Sequence, residues 1–356
     1  MSAMRVVVAM SGGVDSSVAA ALLAREGHDV VGLSMQLYDQ SDGQTQFGSC
    51  CTIDDLHDAR RVAARLGIPH YIVNFERKFG ETVVADFMRE YAAGRTPIPC
   101  VHCNGDLKFA TLVERAAAFD ATVVATGHYA RVDQDAATGR YRMWRGVDAA
   151  KDQSYFLFTL TQAQLAHACF PVGALDKAAV REQARELGLE VAEKPDSHEI
   201  CFVPGGDHGA FLQRQGIAES HGIIRNVEGA VVGAHGGVHR FTVGQRKGLG
   251  LSSTIPLYVV GIDAAGRTVT VGPKAALERR ELTASGVNWI AGAPPPAGLS
   301  VTAQIRHRHR EAAATIEPLA ADRVSVVFDE PQIAVAPGQA LVMYSGAEVV
   351  GGGWID

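Results

Sequence analysis

Through roughly its first two hundred residues the chain alternates short apolar runs with stretches whose apolar positions recur every three or four residues. RVVVAM is followed by SSVAAALLAREG, DVVGLSMQLY by IDDLHDARRVAARLG, and HYIVNF by GETVVADFMREYAAG and NGDLKFATLVERAAAF, before a further apolar run, ATVVATG. Apolar runs separated by helical stretches predict a parallel sheet flanked by helices, an α/β architecture. From about residue 160 to 200 the spacing stays helical, in TQAQLAHACF and DKAAVREQARELG. Near residue 210 glycine becomes frequent (EGAVVGAHGGVHRFTVGQRKGLG), and from about 280 short alternating segments separated by turn signals take over, such as LSVTAQIRHRH, RVSVVF and ALVMYSG. This pattern predicts a small central mixed domain and then a small barrel or sandwich, taken as a C-terminal β-barrel. The expected division is 1–210, 211–278 and 279–356, with the proline-rich connector AGAPPPAG inside the last unit.

Composition changes this picture little. A chain of 356 residues is long for one core, and 47% hydrophobic with 20% charged residues is ordinary for a globular protein. No run of eighteen apolar residues occurs, and MSAMRVVVAM lacks the order of a secretory signal, so a cytoplasmic protein with no membrane partner is expected. The net charge of −6 excludes a globally basic nucleic-acid binder but not local basic patches. Six cysteines, at 50, 51, 100, 103, 169 and 201, are too sparse for a disulfide framework.

Candidate chemistry begins where the first apolar run meets the first helix, in Ala9-Met10-Ser11-Gly12-Gly13-Val14-Asp15-Ser16. A strand-to-helix junction exposes backbone N–H groups and the positive end of a helix. Glycines allow close approach of a ligand, and serines add donors, so a phosphate or pyrophosphate is the natural guest; a plain Gly-Gly turn is the alternative. The loop is not a Walker A loop, since no Gly-Lys-Ser/Thr closes it and it offers no lysine for the phosphates. Cys100 and Cys103 in CVHC have zinc-ligand spacing, but there is no second C-x-x-C; a redox pair is another reading. Cys103 is placed on a loop that ends at Asn104 and enters a helix, where a thiolate is favoured. In QIRHRHRE, Arg306, Arg308 and Arg310 fall at period two, so on a strand they would share one face and track a phosphate backbone.

SGGVDS after a strand and before a helix resembles the pyrophosphate loop of the ATP pyrophosphatases, the PP-loop superfamily, which split ATP between the α and β phosphates. RTPIPCVHCNGDLKF around Cys103 and KPDSHEICFVPGGDHG around Cys201 look like the paired catalytic segments of tRNA-specific 2-thiouridylases, and ATGHYARV, KDQSYFLF and FTVGQRKGLG match other segments of that family. The resemblance covers nearly the whole chain.

It implies a PP-loop fold and an ATP-dependent transferase that adenylates the C2 oxygen of uridine 34 in tRNA. A cysteine persulfide then gives 2-thiouridine, AMP and pyrophosphate. By resemblance Cys201 carries the persulfide, supplied by a cysteine desulfurase or sulfur carrier, and Cys103 releases the sulfur, leaving a Cys103–Cys201 disulfide. The family likewise assigns Ala9 to Ser16 to the ATP phosphates, Met35 to adenine and Gly127 to a close backbone approach. It sets Ile98, Pro99, Cys100, His128, Lys151, Asp152, Gln153, Arg306, His307 and Gln339 against tRNA. Ile98 stands where Asn is frequent and Cys100 where some members carry aspartate, so a general base at position 100 is not carried over. Mg2+ is expected with ATP, because a loop without lysine leaves the pyrophosphate charge unneutralised. Rival readings are another PP-loop ligase or amidating enzyme, and a regulatory module that holds ATP without turnover; neither needs the Cys201 thiol.

Overall fold

The computed structural model describes residues 3–37, 52–196 and 200–356. Its first layer is a parallel sheet. Strands β1 (Arg5–Ala9), β2 (Asp29–Gln36), β3 (His70–Asn74) and β4 (Val123–Thr126) form from the predicted apolar runs. β1 lies between β2 and β4, and β3 flanks β2. Val6 and Val8 enter one buried cluster while Val7 enters another, so β1 is covered on both faces; this is why its sequence is continuously apolar instead of alternating.

Helices α1 (Val14–Arg25) and α2 (Ile53–Leu66) pack on the Val6 and Val8 side. α2 opens with a capping box between Thr52 and Asp55. The other side carries two helical rods. One runs from α3 (Glu76–Phe79) through a π-helical turn (Gly80–Val84) into α4 (Ala85–Ala92). The other runs from α5 (Pro99–His102) through a second π-helical turn (Cys103–Phe109) into α6 (Ala110–Ala117).

Beyond β4 the structure departs from the reading of the sequence. Segments ARVDQ and YRMWR pair as an antiparallel hairpin, β5 (Ala130–Gln134) and β6 (Tyr141–Arg145). The stretch 160–200 is not helical throughout. α7 (Gln162–Leu165) is a single turn, and β7 (Ala168–Cys169) then pairs with β4 at the edge of the parallel sheet, before α8 (Lys177–Glu186) resumes the predicted helix. The open side of β4 supplies hydrogen-bond partners that outweigh the helical propensity of LAHA.

A short helix, α9 (His208–Arg214), leads to a small mixed sheet of β8 (Gly222–Asn226), β9 (Val231–His235), β10 (Tyr258–Asp263) and β11 (Thr268–Gly272). β8 and β11 are parallel and the outer pairings antiparallel. The last unit comprises β12 (Glu278–Trp289), β13 (Leu299–Gln304), β14 (Ala312–Ala320), β15 (Arg323–Ile333), β16 (Ala340–Ser345) and β17 (Glu348–Ile355). They follow the order β12-β15-β14-β13-β16-β17, and β12 pairs with β17, so the sheet closes into a six-stranded barrel. Closure removes the sheet edges that a sandwich would leave. The hairpin joins this barrel from outside through Trp144 opposite Glu348.

Arg306, Arg308 and Arg310 do not lie on a strand. They occupy the turn between β13 and β14, where the Gln304 side-chain amide donates to the carbonyls of Arg306 and His307 and bends the chain. No helix among the described residues is long and apolar enough to cross a membrane.

Candidate active site

The chain leaves β1 for β2 and β3 on one side of the sheet and returns to β4 on the other. The carboxyl ends of β1 and β4 therefore border a crevice of the kind that holds ligands in open α/β sheets. Met10 to Gly13 fill the turn from β1 into α1. Gly12 has φ +74°, and a Cβ there would lie 2.1 Å from the Asp55 carbonyl oxygen. Gly127, just past β4, is equally constrained, since its Cβ would lie 2.4 Å from the Ser16 nitrogen. Gly13 caps α1 with extended backbone and no side-chain hydrogen bond, which keeps the positive end of the helix open to an anion. The Ser16 hydroxyl accepts from the Ser11 N–H at 3.2 Å and donates to the Gly13 carbonyl, curling the loop around the helix end.

The fold corrects the inference that no ammonium reaches this loop. Lys177, at the start of α8, donates to both Asp15 carboxylate oxygens at 2.7 and 2.9 Å, and the Tyr129 hydroxyl donates to the same carboxylate at 2.8 Å. Burial and the adjacent Asp15 charge push the Tyr129 hydroxyl far above its ordinary pKa, so it stays a donor. Lys194 donates to the Gly12 carbonyl at 3.1 Å and pairs with Asp55 and Asp58. Both lysines are remote in sequence from the loop, so only a folded chain could reveal them. Lys177 and Lys194 thus bring to the loop the positive charge whose expected absence called for Mg2+.

Cys103 is buried, and it sits inside the helical rod, in the π-helical turn after α5, instead of on a loop before a helix. The rod begins earlier, with Pro99 at its first position, where the absent N–H costs nothing. Cys100 occupies the first turn, so the helix end that would favour a thiolate lies at Cys100 and not at Cys103. Cys201 is half-buried. Cys103 belongs to the buried cluster that contains Met35, Phe79 and Leu107, and Cys201, Phe202, Ala9 and Ile98 pack against that same cluster. Phe202 meets Phe79 and Phe87 edge-on at 5.4 and 5.2 Å, which seats the Cys201 segment on the first helical rod. Two cysteines far apart in sequence thus reach one apolar cluster beside the strand that carries the phosphate loop. Cys50 and Cys51 lie outside the described residues.

The residues set against tRNA divide into two groups. Lys151 pairs with Asp196 at 2.7 Å, and His307 lies exposed against Phe156 at a ring distance of 4.4 Å. Asp152 points inward: its carboxylate accepts from the Gly146 and Ser154 N–H groups, the Ser154 hydroxyl and Arg145. Gln153 accepts from the Tyr129 N–H, and His128 is hydrogen-bonded to the Thr126 hydroxyl at 2.7 Å. Arg306 donates to the Ile333 carbonyl, and Gln339 donates to the Thr96 carbonyl at 3.0 Å, fixing the barrel to the strand of chain that enters Ile98, Pro99 and Cys100.

His102 is not among the residues expected from the sequence, although an aspartate four residues on marks it. It is hydrogen-bonded to Asp106 at 2.8 Å, lies 3.4 Å from Asp86 and stacks on Trp354.

Comparison with known proteins gives three family models in series. Residues 4–205 match the tRNA methyl transferase HUP domain, residues 209–273 the tRNA methyl transferase PRC-barrel domain, and residues 279–355 the aminomethyltransferase beta-barrel domain. A protein of Geotalea uraniireducens named tRNA-specific 2-thiouridylase is 53% identical over 99% of this chain and 95% of its own length. A protein of the same name from Solibacter usitatus is also 53% identical, over 99% of both chains. A third, from Magnetococcus marinus, is 49% identical over 99% of this chain and 98% of its own.

Proposed function

The chain belongs to the tRNA-specific 2-thiouridylase family, and we propose from that premise how its residues divide the work. The enzyme is an ATP-dependent tRNA-uridine 2-sulfurtransferase: it adenylates the C2 oxygen of uridine 34 and replaces that oxygen by sulfur, releasing AMP and pyrophosphate. The open end of α1, with Ala9 to Ser16 around it, receives the phosphates. Gly12 packs the loop against Asp55 and Gly127 packs the end of β4 against Ser16, which shapes the crevice for the nucleotide, and Met35 borders the adenine. Lys177 and Lys194 offset part of the phosphate charge. Mg2+ would be held chiefly by the phosphate oxygens, with Asp15 reaching it where Lys177 yields one of that carboxylate's oxygens; it would spread the charge of the leaving pyrophosphate.

Sulfur transfer follows from two thiols on one apolar cluster. A donor protein, a desulfurase or a sulfur carrier, loads Cys201 with a persulfide. The outer sulfur attacks C2, and AMP departs with the former uridine oxygen, leaving the base joined to Cys201 through a disulfide link. The Cys103 thiolate then attacks the Cys201 sulfur. That breaks the link, leaves C2 doubly bonded to sulfur, and forms a Cys103–Cys201 disulfide that an external reductant must reopen with two electrons. Lys151 and His307, with the Ile98 to Cys100 stretch and His128 nearer the cysteines, make the tRNA contacts. Asp152, Gln153, Arg306 and Gln339 hold those elements in place. The division at 1–210, 211–278 and 279–356 and a place beside the tRNA pool in the cytoplasm complete the reading.

The carrying observation is the shared cluster of Cys103 and Cys201 beside the phosphate loop. The test is nucleoside mass spectrometry of tRNA after incubation with enzyme, magnesium ATP and a persulfide donor. Exchange of sulfur for oxygen at uridine 34, lost in Cys201→Ser, supports the reading. Methyl addition, or AMP formation with another acceptor and no sulfur, overturns it.

A further inference from the structure

The rod that carries Cys103 holds a second thiol one turn earlier, and the sulfur steps set out above do not use it. Cys100 lies in the first turn of α5, behind Pro99, and Cys103 follows at the end of that helix with right-handed helical backbone, φ −60° and ψ −40°. Residues three apart on a helix share a face, with Cα atoms about 5 Å and Cβ atoms roughly 5–6 Å apart. A disulfide spans Cα separations of about 4.4–6.8 Å, so only the Cβ atoms must draw in, by about 1–2 Å. The first turn of a helix tightens readily, because its N–H groups hold no intrahelical bond. Cys103 is 7% exposed and belongs to the apolar cluster with Val101 and Leu107, whereas Cys100 is half-buried and nearer the surface. The chain ahead of Cys100 is clamped to the barrel: the Thr96 N–H donates to the Pro337 carbonyl, and Gln339 donates to the Thr96 carbonyl.

Each cycle of sulfur transfer ends on a disulfide whose Cys103 sulfur is buried, where an external protein thiol reaches it poorly. A thiolate on the same turn of the rod competes from a different position. Well-oriented groups on one framework react at effective concentrations of about 10⁵ M or more, far above that of any dissolved thiol. We propose that Cys100 is the resolving thiol of the cycle: its thiolate attacks the Cys103 sulfur of the Cys103–Cys201 disulfide, forms a Cys100–Cys103 disulfide and expels Cys201 as a thiolate. No electrons enter at this step. The two that close the cycle come from an external dithiol, which attacks the half-buried Cys100 sulfur, restores both thiols of the rod and leaves as a disulfide. The relay rests on the two-thiol reading of sulfur transfer and adds the residue that reopens it. It moves the disulfide from the apolar cluster to the start of the rod, and Cys201 is ready for the next persulfide before the reductant arrives.

The test uses the full chain. It is loaded with persulfide, given tRNA and magnesium ATP for one turnover without reductant, quenched in acid, alkylated with iodoacetamide and mapped by peptide mass spectrometry. The native chain is expected to yield an internal disulfide in the tryptic peptide 96–108, with Cys201 alkylated. Cys100→Ser should hold its disulfide between Cys103 and Cys201 instead. Reopening of the two oxidised chains by a dithiol protein of the thioredoxin class is then timed, and Cys100→Ser should be slower by about tenfold or more. A cysteine that served the fold or tRNA binding alone would change neither the pairing nor the rate of reopening. If Cys100→Ser does not fold, Cys100→Asp removes the same thiol and must show the same two changes. Cys103–Cys201 as the sole disulfide of the native chain, or a folded variant reopened at the native rate, overturns the relay and leaves the two-thiol sulfur transfer standing. 2-Thiouridine formed with no disulfide at Cys103, or no 2-thiouridine at all, overturns both, and the nucleoside analysis of the same samples tells the cases apart.

Discussion

His102 lies flat on Trp354, with ring centroids 4.4 Å apart and 6° between the planes, so the residue beside Cys103 is stacked on the last strand of the barrel. Desolvation pulls the imidazolium of His102 down, but the Asp106 hydrogen bond and the charges of Asp86, Asp106 and Glu90 outweigh it, and the pKa is raised from 6.5. A cation stacked on indole gains further from the ring's negative face. The folded state therefore binds this proton more tightly than the unfolded chain. The stability it contributes is complete below pH 6.5 and disappears as pH rises through the raised value. His102→Gln is expected to cost roughly 1 kcal/mol in urea unfolding at pH 6 and far less at pH 9. An equal loss at both pH values would rule out the charged stack.

Cys103→Ser should stop the cycle after the first sulfur bond. The base would remain linked to Cys201, and a tRNA–protein adduct should appear on a non-reducing gel and vanish with dithiothreitol. Free 2-thiouridine at the native rate would remove Cys103 from the mechanism.

Gly127→Ala places a methyl group 2.4 Å from the Ser16 nitrogen, a backbone atom that cannot rotate away. The clash separates β4 from the start of α1 and should cost on the order of 2 kcal/mol of stability. Calorimetric ATP affinity should fall about tenfold, the equivalent of about 1.4 kcal/mol. Native affinity in this variant would contradict the geometry of the crevice.

Lys151 and Asp152 are neighbours with opposite expected phenotypes. Asp152 is 7% exposed at its side chain and pairs with Arg145, which stacks on Tyr344 and also reaches Glu311. Asp152→Ala leaves that half-buried guanidinium with Glu311 alone and removes the acceptor of the Gly146 and Ser154 N–H groups, and should destabilise the protein by about 2 kcal/mol, with tRNA affinity of the folded fraction little changed. Lys151→Ala should instead weaken tRNA binding and reduce its salt slope by about 1. Filter binding at several salt concentrations, with melting curves, separates the two.

The sequence displayed what repeats locally. β1, β2 and α2 are legible because burial on both sheet faces and a helical stripe leave patterns within a few turns. β7 is two residues long, too short for any period, and it exists because β4 had an open side. The start of the Cys103 rod is hard to see in the sequence because only Pro99 marks it, and a proline is as common in a loop as at a first helical position. The turn at Arg306 has the spacing of a strand, and spacing does not show a side chain such as Gln304 bending the backbone. At the site, the phosphate loop and the cysteines carry recognisable neighbours in sequence. Lys177 and Lys194 carry none; their role arises from ion pairs across long stretches of chain, which no local pattern encodes.

The contact between the Cys103 rod and β17 also has a bearing on synthesis. The parallel sheet can assemble once β7 has left the ribosome, but His102 has no Trp354 to rest on, and Gln339 cannot reach the Thr96 carbonyl, until the barrel has been made. Domains fold in order of emergence. A nascent or truncated chain that lacks β17 would thus carry a formed nucleotide crevice beside a cysteine rod that rests on the sheet but whose His102 end is unstacked.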